Sequence, residues 1–180
     1  AKGGQAGFNS DTGNHVIYLD FLFKEIGQTD DIGFIQVGPH EYTHFAQYTL
    51  GSPHWQLAGP WFIEGMASYI GTALTPMFGM PHHSMTIWKK QLSDTTLPLT
   101  AFLDYDSRIT ENPNWSNVYP MGAMAAEALV ALIGMDAVYN LSADLSKGLS
   151  LDETFKKNVG MTDAVINKLS VSYTHLTLPT

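Results

Sequence analysis

The stretch GPWFIEGMASYIGTAL, residues 59–74, sets Phe62, Ile63, Met66, Ala67 and Ile70 at 3.6-residue spacing and so predicts an amphipathic helix with its apolar face in a core. Gly59 and Pro60 open it, because a proline in a first turn gives up an N–H that would have no partner anyway. Among these apolar residues sits one carboxylate, Glu64. Its possible roles are a solvated helix position, a lysine's partner or a ligand.

Upstream, GPHEYTHFAQYTLG, residues 38–51, repeats the same grammar. Pro39 suits a helix start and Gly51 its end, which predicts a helix over His40–Leu50; the apolar IGFIQV before it offers an upstream extension through a kink. On such a helix His40 and His44 lie about 40° apart around the axis, so both imidazoles leave one face and can share an ion. Glu41 lies about 100° from His40, off the ion yet close enough to take a proton from a water held there. The alternative is two ordinary helix histidines, since a pattern with three fixed positions arises by chance in roughly one such chain in a hundred.

Zinc held by two neutral imidazoles needs a third protein ligand and one open position. Glu64, 20 positions after His44 and on the next predicted helix, is placed to supply it. Other third ligands fit less well. The metzincin spacing requires Gly and His where this chain has Gln47 and Leu50, and a deformylase-type site requires a cysteine, which the chain lacks.

The remaining composition limits the function classes. A chain of 180 residues with 44% apolar content builds one core, and 1–169 reads as one domain. A formal charge of −8 with only nine Lys and Arg provides no basic patch, which argues against nucleic acid. No window reads as a membrane-spanning helix and no signal peptide opens the chain; since it starts at Ala1, a fragment of a longer protein is expected. Without cysteine there is no disulfide framework, so zinc would be held by His and carboxylate.

Working further outward, Gly-rich AKGGQAGFNSDTGN runs into HVIYLDFLF, which predicts a strand near 15–20. Residues 75–117 read as irregular cover over a cleft, with a short helix around SMTIWKKQL. YPMGAMAAEALVALIG predicts a helix ending at Gly134, and DAVYNLSADLSKG another. Ser150 and Glu153 form a capping box for LDETFKKNVG, with Gly160 as its stop. His82 and His83 read as an exposed loop pair, His54 and Trp55 as loop packing or cleft lining, and Trp61 and Tyr69 as packing. The Met-rich stretch 77–85 reads equally as an apolar subsite or as gap filling. The closing VSYTHLTLPT resembles translated sequencing-adapter DNA, so 170–180 is set aside as a non-native tail and His175 carries no weight.

His40-Glu41-Tyr42-Thr43-His44, followed by Trp61-Phe62-Ile63-Glu64-Gly65-Met66-Ala67-Ser68-Tyr69, resembles the gluzincin zinc peptidases, which include thermolysin and aminopeptidase N. The aminopeptidase side is nearer, with its W-x-x-E-G-x-A-x-Y segment and a later Y-x-x-G matched by Tyr119-Pro120-Met121-Gly122. From residue type alone Tyr119 reads as a core aromatic, with a catalytic role as the alternative. The resemblance implies that its hydroxyl steadies an oxyanion. It also implies an α+β, mostly helical, thermolysin-like zincin fold with a short N-terminal β region. The implied function is Zn²⁺-dependent hydrolysis of peptide bonds with ligands His40, His44 and Glu64 and base Glu41, acting on a peptide or protein substrate outside the cytoplasm. Two other readings stay open: a zinc hydrolase of non-peptide bonds, and a binding module with a degenerate metal site. Three positions depart from the pattern. Ser68 stands where thermolysin-like enzymes place a carboxylate, no G-x-M-E-N segment precedes the histidines, and Pro39 replaces the usual apolar residue, so aminopeptidase specificity is not implied.

Overall fold

The computed structural model describes residues 3–9, 14–20, 31–51, 54–78, 88 and 115–162. Two strands, β1 (Gly3–Asn9) and β2 (Asn14–Asp20), pair antiparallel with Gly3 opposite Asp20 and Asn9 opposite Asn14. Five helices follow: α1 (Asp31–Gly51), α2 (Gly59–Ala73), α3 (Val118–Ile133), α4 (Met135–Leu145) and α5 (Leu151–Val159). Short 3-10 turns at Trp55–Ala58 and Trp115–Asn117 lead into α2 and α3.

The expected α+β class is corrected to an all-helical body. Every buried apolar side chain described belongs to α2–α5 or to the turn ending at Ala58. Among the described residues the two strands pair only with each other, and a two-stranded ribbon is too narrow to form the second layer of an α+β fold. The reason lies in where the apolar residues fall. They sit at helical spacing from α2 onward, so helices bury them against one another.

α2 is the central element, packed on α1 along one side and on α3 along the other. Glycines make both approaches close. A Cβ on Gly71 would lie 2.7 Å from the Gln36 carbonyl oxygen of α1, and one on Gly65 would collide with the Gly122 backbone of α3. Beneath the α2–α3 crossing, fully buried Trp61 stacks on Phe155 of α5 with ring centroids 6.1 Å apart, and Phe62 meets both rings edge-on. Burial of each such side chain contributes about 1.5–3 kcal/mol relative to exposure.

α1 differs from its expected extent. Pro39 lies inside a helix of 21 residues rather than at its start. The upstream run 31–38 is helical, the extension that IGFIQV offers, without the bond that Pro39 cannot donate toward the Ile35 carbonyl. One turn later Thr43 Oγ1 donates to the Pro39 carbonyl at 2.8 Å.

Ser150 and Glu153 cap α5 reciprocally, and Gly160 ends it at φ 71°. By length and composition Trp115–Ile133 is long and apolar enough to cross a membrane, and 56% of that window is buried inside the helical body. Of SMTIWKKQL only Trp88 is described, and it is helical. His82, His83 and the tail 170–180 lie outside the described residues.

Candidate metal centre

α1 and α2 each bring part of one cluster. His40 and His44 stand one turn apart on α1, and Glu64 faces them from α2. His40 Nε2 and His44 Nε2 are 3.1 Å apart, and Glu64 Oε2 lies 3.5 Å from the first and 3.4 Å from the second. An ion bonded tetrahedrally at about 2.0–2.1 Å sets its ligand atoms about 3.3–3.4 Å apart. The three atoms therefore form a triangle of the size that one face of a zinc tetrahedron requires. Among the described residues this is the one group of three or more His, Asp and Glu that converges in this way.

Neighbouring polar groups hold the ligands. His44 Nδ1 donates to Gln47 Oε1 at 2.9 Å, and Gln47 Nε2 donates to the Ile63 carbonyl at 3.0 Å. Ser68 Oγ lies 3.4 Å from His40 Nδ1. Thus Ser68, which departs from the thermolysin pattern by lacking a carboxylate, still occupies the place beside His40 with a polar atom. The Gln47 oxygen can only accept, so His44 Nδ1 carries a hydrogen and its Nε2 is the nitrogen left to meet an ion.

Burial alone would raise the Glu64 carboxyl, yet hydrogen bonds from His40 and His44 and their charge hold it at about 2. Burial likewise pushes His44 down, but the Glu64 hydrogen bond and charge, with the Gln47 bond, carry it above its ordinary value. The carboxylate thus stays ionised beside imidazoles that attract positive charge. A divalent cation answers the same field. Tyr48, one turn after His44, has its phenol raised by burial and then by the Glu64 charge, which places it within the same field.

Glu41 is 6% exposed and lines an open cleft of about 270 Å³ beside His40, Ser68, Trp88 and Tyr119. Tyr119, in the first turn of α3, has its ring centroid 6.1 Å from that of His40. Of the five residues expected from the sequence, His40, Glu41 and Tyr119 line this cleft, and His44 and Glu64 adjoin it through His40. His54 is exposed beside Gly148 and is absent from the cleft wall, and Met77 is exposed at 78%. Tyr69 and Trp61 pack with the core as expected.

The sequence reading missed Gln47, Tyr48 and Trp88. For Gln47 a signal existed, since i and i+3 share a helix face and Gln47 follows His44 by three. Trp88 falls in the stretch 75–117 expected to cover a cleft, but nothing local singled it out within that stretch. No family model, no curated protein and no solved structure matches this chain.

Proposed function

We propose that the chain is a zinc-dependent peptide hydrolase of the gluzincin type, its site carried by the helical body. The observation that supports this most strongly is the triangle of His40 Nε2, His44 Nε2 and Glu64 Oε2, with sides of 3.1–3.5 Å, beside a buried carboxylate that is not one of its corners. Two imidazoles and a carboxylate are a donor set suited to zinc, with a fourth position left for substrate or water.

Bound there, the ion supplies Lewis acidity that acidifies water and polarises a carbonyl. His40, His44 and Glu64 hold it, with their orientation kept by Ser68, Gln47 and the α1–α2 contact. Glu41 receives the proton of the attacking water on its carboxylate and passes it to the leaving amine. The Tyr119 hydroxyl donates to the oxyanion of the tetrahedral intermediate. The cleft between α1, α2 and Trp88 receives the substrate chain.

A purified chain, loaded with zinc and incubated with a peptide library, is expected to cleave peptides and to stop when a chelator removes the metal. Zinc uptake without cleavage of any peptide would overturn the peptidase reading. Failure to take up zinc would overturn the metal site.

A further inference from the structure

We propose that Gln47 is a positioning residue for the metal centre, dictating which nitrogen of His44 faces the ion and tying the two ligand-bearing helices together; this rests on the zinc reading above. The roles of its atoms have one direction. The Ile63 carbonyl can only accept, so the Gln47 group 3.0 Å from it is the NH₂. Gln47 Oε1 is then the atom 2.9 Å from His44 Nδ1, and an amide oxygen can only accept, so Nδ1 carries the hydrogen. With the hydrogen on Nδ1 held by Gln47, His44 Nε2, 3.4 Å from Glu64 Oε2, is the nitrogen that gives up its proton to an ion.

Ser68 beside His40 imposes no such direction. Its hydroxyl rotates and both donates and accepts, at the longer separation of 3.4 Å. Gln47 is also 9% exposed, so neither bond is readily replaced by water. Ile63 immediately precedes Glu64, so the bond that sets His44 also fixes the α2 backbone from which the third ligand projects. One amide thereby couples the geometry of two ligands on two helices.

The test uses the full chain and zinc alone as the probe, with affinity read by competition against a chromophoric chelator at a temperature where the metal-free protein is folded. Gln47→Met keeps length and loses both bonds, and is expected to weaken zinc binding about 10- to 100-fold. Gln47→Glu keeps an acceptor for His44 Nδ1 while giving up the bond to the Ile63 carbonyl, and is expected to bind zinc at least about threefold more tightly than the Met variant. Should Gln47→Met not fold, Gln47→Asn, one methylene short of both partners, carries the same comparison. Parental zinc affinity in the Met or Asn variant, accompanied only by a lower melting temperature of the metal-free protein, would reduce Gln47 to a packing role. A Glu variant as weak as the Met variant overturns the proposal too. Because the parent is measured alongside, a parent that takes up no zinc is distinguished as failure of the site itself, and it takes this inference with it.

Discussion

Gly65 and Gly122 face each other backbone to backbone where α2 crosses α3: a Cβ on Gly122 would lie 2.6 Å from the Gly65 Cα. Gly65 adjoins Glu64, and Gly122 follows Tyr119 by three residues on the same helix face. The contact therefore sets the distance between the ligand on α2 and the tyrosine on α3. Gly122→Ala is expected to force the helices apart and to lower stability by about 1–3 kcal/mol or more, read as a fall in the urea midpoint. An alanine variant of parental stability would show that the crossing can relax without cost.

Glu41→Gln is expected to retain zinc and lose hydrolysis. The amide keeps the shape of a side chain that is 6% exposed, but it cannot take up a proton. Metal content and peptide turnover measured on one preparation separate the two effects. Turnover at the parental rate would remove Glu41 from the base role.

His44→Ala leaves His40 and Glu64, and two ligands do not close a zinc site. Bound zinc after desalting is expected to fall from about one per chain to below about 0.1. Glu64→Ala should behave alike. Full occupancy in either variant would contradict the assignment of that residue.

Tyr119→Phe removes only a hydroxyl. If that group donates to the oxyanion, kcat falls by roughly 10² to 10³ while KM and zinc content hold. A tyrosine that only packs behaves differently: its loss shifts stability by about 1 kcal/mol and leaves kcat intact. Steady-state kinetics together with a melting curve tell these outcomes apart.

Asp144 of α4 predicts an acid-dependent loss of stability away from the site. It is 5% exposed and accepts from Asn158 Nδ2, Lys147 Nζ and Lys157 Nζ, each at 2.8 Å. The Asn158 bond foremost, with those of the two lysines, holds its carboxyl well below the usual carboxylate range. Unfolded, it titrates near about 3.9, so below that pH the unfolded chain gains a proton that the folded one resists. The contribution is complete above about pH 5 and drains away as pH falls toward the folded value. Asp144→Asn is expected to lower neutral-pH stability by about 1–3 kcal/mol, the gap narrowing as acid is added. Urea midpoints of both proteins in chelator, from about pH 6 to about pH 2, read that difference with the Glu64 titration common to both. A gap that stays constant across the range would contradict it.

What was legible in the sequence was local. His40, Glu41 and His44 lie within five residues, so helical geometry alone places them, and α2, α3 and the capping box of α5 follow from period and end signals. Glu64 followed from zinc's need for a third ligand on the next helix, whereas Tyr119 needed the resemblance, since its place beside His40 depends on how helices cross. The glycines that permit those crossings looked like ordinary small residues. The fold class went wrong because a resemblance reports a site more closely than the layers around it: among the described residues the β region amounts to one strand pair, and the core is helical. Pro39 misled in a simpler way. Proline favours a first turn, yet α1 runs through it with one bond missing, from Asp31 to Gly51, the upstream extension that IGFIQV offers as the alternative.

That missing bond divides α1 into two lengths of ladder, and they meet at the residue before His40. Fraying that starts at Asp31 and climbs toward Gly38 has no amide at position 39 through which to pull on the next turn. Amide protons after His40 should therefore exchange with solvent deuterium on a slower clock than those at 32–38. The first two turns of α1 can then loosen and re-form while the two imidazoles keep their spacing.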